Sequence, residues 1–207
     1  MKEAKISPSV VRRLPIYLRH VQDLQESGIE TVSSKEMGAK LDLNPAQIRK
    51  DLAYFGEFGR KGVGYEVEYL ARKLEQILHL DRQISVALVG AGHLGIALSN
   101  YTRFQNERIT IAGLYDQDPQ KIGMRVGQLT VKPVYDLESD ATTIGFQMGI
   151  IAVPAFSAQE VCDTMVHCGV RVILNFAPTS LKVPGNVHVR STDMTTELQS
   201  LAYYIGE

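Results

Sequence analysis

Val89-Gly90-Ala91-Gly92-His93-Leu94-Gly95 is the stretch whose reading decides the fold. Its glycines occupy the three places of the pattern G-x-G-x-x-G. An apolar run, Ile84 to Val89, stands directly before them, and a helical pattern to about Phe104 follows. A strand that turns through glycine into a helix leaves backbone N–H groups bare at the helix N-terminus, where a pyrophosphate can approach them. A second apolar run, Ile109 to Tyr115, ends in Asp116, 21 residues beyond Gly95. A carboxylate there accepts hydrogen bonds from an adenosine ribose. No arginine follows it to meet a 2′-phosphate, so the ligand reads as NAD(H) rather than NADP(H). His93 reads as a position facing the phosphates rather than a catalytic group.

Downstream, Gly149 to Val153, Val170 to Leu174 and Val187 to Val189 are further strand candidates, with a helix from about Ala158 to Cys168 between the first two. Strands alternating with helices predict a parallel α/β sheet, a Rossmann-type domain over residues 81–192. No segment approaches the roughly 18 apolar residues of a membrane span, and the N-terminus lacks a signal-peptide h-region. Cys162 and Cys168 have no metal-ligand spacing around them and read as reduced packing residues, which points to a cytoplasmic protein.

More than eighty residues precede the glycine loop, and they have a different texture. Ser7-Pro8 caps a helix with Leu14, Leu18, Val21 and Leu24 on one face; Pro15 inside it predicts a kink or break near Arg13. Ser33-Ser34-Lys35-Glu36 has capping-box spacing and starts a short helix through Met37, Ala39 and Leu41. Asn44-Pro45 caps another, Ala46 to Phe55, with Ile48, Leu52 and Phe55 apolar. Short helix, turn, short helix is the outline of a helix-turn-helix. Gly56 to Tyr65 then carries four glycines in nine residues, with Arg60-Lys61 at the tip of what reads as a wing. A helix with Val67, Leu70, Leu74, Ile77 and Leu78 leads on to the second module. Residues 1–80 are therefore expected to form a winged-helix DNA-binding domain.

Charge supports this weakly. The chain carries −1 overall; residues 1–82 hold 14 Lys/Arg against 12 Asp/Glu, and residues 83–207 hold 8 against 11. DNA binding rests on local groups instead: Gln47, Arg49, Lys50 and Tyr54 on the second short helix, Ser33 at the start of the first, and Arg60 and Lys61 on the wing. Gln pairs with adenine and Arg with guanine in the major groove, while wing cations meet phosphates or the minor groove.

The rest of the second module offers no acid–base pair. His167, His188 and Lys182 are isolated, and about 125 residues leave no room for a substrate domain beside a nucleotide fold. The expectation is a sensor, not an enzyme. Two alternatives remain: a small NAD-dependent dehydrogenase, and a CoA-binding domain of the succinyl-CoA synthetase type.

Arg13-Leu14-Pro15, Gln47-Ile48-Arg49-Lys50-Asp51-Leu52, the wing from Tyr54 to Tyr65, Gly90 to Gly95, Val153-Pro154-Ala155, Asn175-Phe176 and Glu197 to Leu201 together run nearly end to end. In these pieces the chain resembles the Rex family of bacterial redox-sensing transcriptional repressors. The resemblance implies a homodimer that binds a palindromic operator when NAD+ prevails and releases it when NADH accumulates. It implies cofactor contacts from Gly90, Ala91, Gly92, His93, Leu94, Gly95 and Asp116, with Val153, Pro154, Ala155, Asn175 and Phe176 at the nicotinamide end. Arg13, Tyr101 and Asp193 would form the redox switch, and the last helix, residues 193–207, would be swapped between subunits. Independently, Asp193 can cap a helix whose Leu198, Leu201, Ala202 and Ile205 make an apolar stripe. That stripe must bury itself, on its own sheet or on a partner.

Overall fold

A hydroxyl, a proline and an apolar stripe start the first helix. In the computed structural model, which describes residues 6–60, 62–102, 104 and 107–206, Ser7 accepts the Ser9 N–H and Pro8 opens α1, Pro8–Glu26. The expected break at Pro15 does not occur, and α1 runs through it. Proline deprives the Val11 carbonyl of its helical partner. Val11, however, is 47% exposed and water can serve it. Leu14 before the proline, and Tyr17, Leu18 and Val21 after it, are buried in the same core and hold both halves in line.

The chain divides into two compact units, Met1–Arg82 and Gln83–Glu207. In the first, α2 (Ser34–Leu41) begins with the reciprocal capping box. The Ser33 hydroxyl accepts the Glu36 N–H, and the Glu36 carboxylate accepts the Ser33 N–H at 2.7 Å. Asp42 ends α2 in the left-handed conformation, and the Asn44 side chain caps α3 (Pro45–Ala53). A Cβ on Gly38 would stand 2.5 Å from the Leu43 carbonyl oxygen, so glycine there lets the two helices meet. β1 (Thr31–Val32) and β2 (Gly59–Arg60) flank β3 (Gly64–Glu66) in a small antiparallel sheet. β1 had no sequence signal. After it comes α4, Val67–Ile77, packed on α1 through Leu70, Ala71 and Leu74. This is a helix-turn-helix with one wing.

Among the described residues, the second unit is built on seven strands in the order β10-β9-β8-β4-β5-β7-β6. They are β4 (Ile84–Val89), β5 (Ile109–Asp116), β6 (Arg125–Val126), β7 (Leu129–Pro133), β8 (Met148–Ile151), β9 (Val172–Asn175) and β10 (His188–Ser191). Every neighbouring pair is parallel except β6 with β7. From β4 the chain winds outward to β5 and β7; from β8 it winds the other way to β9 and β10. The crevice beyond the ends of β4 and β8 is thus a topological switch point, where open parallel sheets take ligands.

Around the sheet stand α5 (His93–Ser99), α6 (Leu137–Ile144) and α7 (Ala155–His167). α5 stops at Ser99 rather than near Phe104, with Asn100 as its C-cap. The core gathers Val89, Tyr115, Leu137, Ile151, Ala158, Met165 and Ile173. Within it the Tyr115 hydroxyl donates to Asp140 at 2.7 Å, and Lys132 reaches both oxygens of the same carboxylate, fastening α6 to the sheet.

The last helix, α8 (Met194–Ala202), buries none of its side chains. Met194, Leu198, Leu201 and the following Tyr203, Tyr204 and Ile205 are all more than 60% exposed. Of the two expected resting places for this stripe, its own sheet does not cover it. Among the described residues no helix is long and apolar enough to cross a membrane.

Candidate nucleotide cleft and nucleic-acid interface

Two of the three glycines of the loop are required by the fold itself, and the third is not. Gly90 has φ +113°, and a Cβ there would lie 2.4 Å from the Ala152 carbonyl oxygen. It lets the ends of β4 and β8 pass each other, stitched by Gly90 N–H to Tyr115 O (2.7 Å) and Ala152 N–H to Val89 O (2.8 Å). A Cβ on Gly95 would sit 1.8 Å from the Gly90 carbonyl oxygen, so this glycine lets α5 close on the loop. Gly92 differs: its φ is −82°, and a Cβ would meet nothing within 4 Å. Neither strain nor packing demands glycine at 92. The space above its backbone is where a pyrophosphate would lie against the N–H groups, so the loop fits a dinucleotide.

That space is part of a cleft of about 590 Å³ lined by Gly90, Gly92, His93, Leu94, Asp116, Lys121, Val153, Pro154 and Phe176, among others. Ala91 and Gly95 are buried beneath the loop. Ala155 begins α7 beside the rim.

Asp116 carries more than the sequence indicated. Its Oδ2 accepts the Ala91 N–H (2.7 Å) and the Lys121 ammonium (3.1 Å), and its Oδ1 accepts the Asp118 N–H (2.9 Å). Burial would raise its pKa, but these bonds prevail and hold it below the usual carboxylate range. A carboxylate has about four lone-pair sites, so these bonds leave about one on Oδ1 for a ribose hydroxyl. Asp116 therefore fastens the glycine loop as well as lining the cleft. Lys121 was missed; the run Asp116, Asp118, Lys121 was its signal. Its charge is met by Asp116 and, at 3.8 Å, by Asp118.

At the far end, Phe176 lines the cleft, whereas Asn175 is fully buried below it. The Asn175 amide nitrogen faces the Ala177 and Thr179 carbonyls and the Ser191 hydroxyl, while its oxygen accepts the Ala177 N–H. Asn175 thus shapes the loop that presents Phe176.

In the first unit, α3 turns Ile48, Asp51 and Leu52 inward and exposes Arg49, Lys50 and the capping residue Tyr54. Arg49 donates to the Ser34 hydroxyl at 2.8 Å. With Ser33, Ser34, Gly59, Arg60 and Tyr65 it lines a cleft of about 670 Å³ between α3 and the wing. Ser33 uses its hydroxyl oxygen as a helix cap and keeps its O–H to donate. Arg60 pairs with Gly64 beside the turn; Lys61 lies outside the described residues.

Gln47 donates to Asp51 at 2.6 Å, one turn along α3. Sequence reasoning missed Asp51, a wholly buried carboxylate. It receives Arg13 Nε (2.5 Å), Arg13 Nη2 (2.8 Å) and the Tyr17 hydroxyl (2.7 Å) from α1 as well. Burial would raise its pKa; the bonds from Arg13, Tyr17 and Gln47 outweigh that and lower it. Below its ordinary value near pH 4 the unfolded chain takes up the proton first. This pairing therefore stabilises the unit above about pH 4 and loses its contribution as the pH falls further. Asp51→Asn is expected to flatten that part of the acid-unfolding curve followed by circular dichroism.

The other two switch candidates sit in the second unit. Tyr101 is 49% exposed, its ring edge-on to Phe104. Asp193 caps α8, accepting the Thr195 and Thr196 N–H groups and the Thr196 hydroxyl, and these bonds lower its pKa.

Known proteins match both units. Residues 5–53 fit the family model described as a putative DNA-binding protein N-terminus, and residues 81–179 fit that of a CoA binding domain. A redox-sensing transcriptional repressor Rex from Brevibacillus brevis is 50% identical over 204 residues, 99% of each chain. A crystal structure of RSP in complex with β-NAD+ and operator DNA matches with a TM-score of 0.92 at 34% identity, covering 97% of this chain and 93% of that one. RSP in complex with β-NADH matches with a TM-score of 0.87 at 32% identity, covering 98% and 95%.

Proposed function

The chain belongs to the Rex family of redox-sensing transcriptional repressors, and from that premise we propose how its residues divide the work. The protein is a DNA-binding repressor, not an enzyme. It senses the NADH/NAD+ ratio, binding operator DNA when NAD+ prevails and dissociating when NADH binds.

The observation that carries the ligand assignment is Gly92, whose side-chain space is open although nothing in the fold needs it open. Gly90, Ala91, Gly92, His93, Leu94 and Gly95 form the pyrophosphate cradle, and Asp116 receives the ribose. A carboxylate at that end repels a phosphate on the same ribose. This disfavours NADP(H), and it disfavours CoA despite the name of the model matched by residues 81–179. Val153, Pro154, Ala155 and Phe176, with Asn175 behind them, face the nicotinamide. That ring is cationic and planar when oxidised, neutral and puckered when reduced.

α3 enters the major groove with Gln47, Arg49, Lys50 and Tyr54, while Ser33, Arg60 and Lys61 hold the phosphates or the minor groove. Two copies form a homodimer by exchanging α8, whose exposed Leu198, Leu201 and Ile205 need a cover. In such a dimer the two reading helices must match half-sites about 34 Å apart, so a small rotation loses one of them. Asp193 responds to the charge of the ring and exchanges partners between Tyr101 and Arg13, turning the DNA-binding units. The setting is the cytoplasm.

Electrophoretic shift on a palindromic operator, with NAD+ and then with NADH, tests this. Retardation with NAD+ that vanishes with NADH is expected, and an operator complex indifferent to NADH would refute the reading. Arg49→Ala is expected to weaken operator binding by about 5–150-fold, the equivalent of one bidentate base contact. Its NADH affinity, followed by fluorescence, should stay unchanged. Titration with NADPH and CoA in the same assay should give no comparable binding.

A further inference from the structure

One end of the nucleotide cleft holds three charges rather than one. Beyond Asp116 the chain makes the turn Asp118-Pro119-Gln120-Lys121, and Asp116, Asp118 and Lys121 all line the cleft. Backbone bonds fix this turn. The Lys121 N–H donates to the Asp118 carbonyl at 3.0 Å, and the Lys121 carbonyl accepts the Met124 N–H at 3.0 Å. The neighbouring Gly123 N–H donates to Val131 on β7 at 2.9 Å, so the segment is tied to the sheet. Lys121 is therefore presented from a braced stem.

The ammonium of Lys121 has three N–H donors. One meets Asp116 Oδ2 at 3.1 Å; Asp118 Oδ2, at 3.8 Å, is an ion-pair neighbour beyond hydrogen-bonding distance. A lysine holds phosphate as a point charge. With only Asp116 beside it, this one would attract a 2′-phosphate and work against a preference for NAD(H). Two carboxylates against one ammonium instead leave the end at a net charge of −1. Of these two, Asp116 has structural duties, since it binds the Ala91 and Asp118 N–H groups. The Asp118 side chain is 40% exposed, and its Oδ1 accepts only the Gln120 N–H inside its own turn, at 2.9 Å. A neutral side chain could close that turn equally well, so the fold does not demand the second negative charge.

We infer that Asp118 is a specificity-determining residue of the cleft, cancelling the Lys121 charge so that a ribose hydroxyl is accepted beside Asp116 and a ribose 2′-phosphate is refused. The inference rests on the reading above, in which the ribose of NAD(H) lies against Asp116. It adds the residue that keeps a cation at that end from serving the phosphorylated cofactor. Lys121 then serves Asp116 alone, balancing its charge and holding its Oδ2 so that Oδ1 stays turned to the ribose.

The test is fluorescence titration of the full-length protein with NADH and with NADPH, on the wild type, Asp118→Asn, Lys121→Met and the double variant. Asparagine keeps the oxygen that closes the turn and removes the charge. Asp118→Asn is expected to raise NADPH affinity relative to NADH by about tenfold, with NADH affinity changed by less than about twofold. Its melting temperature should stay that of the wild type. Lys121→Met should move the same ratio the other way, further from NADPH. In the double variant the gain from Asp118→Asn should vanish, because no cation remains to be unmasked. Adenosine 2′,5′-bisphosphate and AMP, used as competitors, should repeat the shift and so place it at the ribose phosphate.

An Asp118→Asn protein with the wild-type NADPH/NADH ratio overturns the inference. So does a gain that survives in the double variant, since Asp118 would then act by plain repulsion and not through Lys121. A merely structural Asp118 would lower the melting temperature and leave the ratio alone. If Asp118→Asn does not fold, Asp118→Ser replaces it, its hydroxyl closing the same turn, and the ratio decides in the same way. A wild type that binds neither NADH nor AMP refutes the cleft as the nucleotide site; a wild type that binds both, with an unmoved ratio in Asp118→Asn, refutes the role of Asp118 alone.

Discussion

Gly92→Ala is expected to fold and melt like the wild type and to bind NADH about a hundredfold more weakly, a loss of about 2.7 kcal/mol. Gly92 has an ordinary φ of −82° and open space beyond its Cα. Alanine there gains roughly 0.4–1 kcal/mol from the smaller freedom of the unfolded chain. It gives back a similar amount as a poorer N-cap of α5, where glycine is preferred to alanine. In the complex, however, the methyl group stands between the backbone and the pyrophosphate. Charge-assisted hydrogen bonds are worth roughly 1.5–3 kcal/mol each, so losing one or two suffices. Gly95→Ala makes the contrast. Its methyl would collide with the Gly90 carbonyl at 1.8 Å, backbone against backbone. A destabilisation above about 3 kcal/mol is expected, visible as a large fall in melting temperature before any ligand is added. A Gly92→Ala protein that binds NADH normally would take the pyrophosphate away from this loop.

The cleft was legible because its parts are local. An apolar strand, three glycines and a carboxylate after the next strand lie within 33 residues, Ile84 to Asp116, and each is constrained by chain geometry alone. The capping box of α2 was legible for the same reason. What escaped is non-local or weakly patterned. Two-residue β1 and β6 are too short to show alternation. α6 lays only Leu137, Ala141 and Ile144 on the core, two turns of stripe among polar residues and too short to stand out. Pro15 pointed to a broken helix, and the packing of Leu14, Tyr17 and Leu18 overrode it.

Asp51 escaped for a more instructive reason. It falls at i+3 from Ile48, on the buried stripe of α3, and a carboxylate in that position signals a buried cation partner. The partner, Arg13, is 38 residues away, beyond the reach of any local pattern. The Arg13, Asp51, Gln47 and Tyr17 group therefore comes together only in the folded chain, whereas Arg49 and Arg60 are legible directly as exposed cations.

Replacing Asp193 should remove most of the NADH effect on operator affinity while leaving NADH binding nearly intact. A glycine loop that grips the pyrophosphate, as proposed, meets a group identical in the two redox forms, so it would contribute affinity and no discrimination. A ligand that binds two conformations equally well shifts neither, however tightly it binds. The difference must be read by a group that responds to the charge of the nicotinamide ring, and Asp193 is the proposed group. Its position at the N-cap of α8 complicates the simplest variant. Asp193→Ala removes a charge and also a cap worth about 1 kcal/mol, so a frayed α8 could imitate a lost signal. Asp193→Asn separates the two, because asparagine caps as well as aspartate and carries no charge. If charge transmits the redox state, Asn and Ala should fail alike, each leaving an operator affinity that differs by less than about threefold between NAD+ and NADH. If Asn restores the wild-type ratio, α8 needs its cap rather than the charge, and the switch must be sought in how that helix is held.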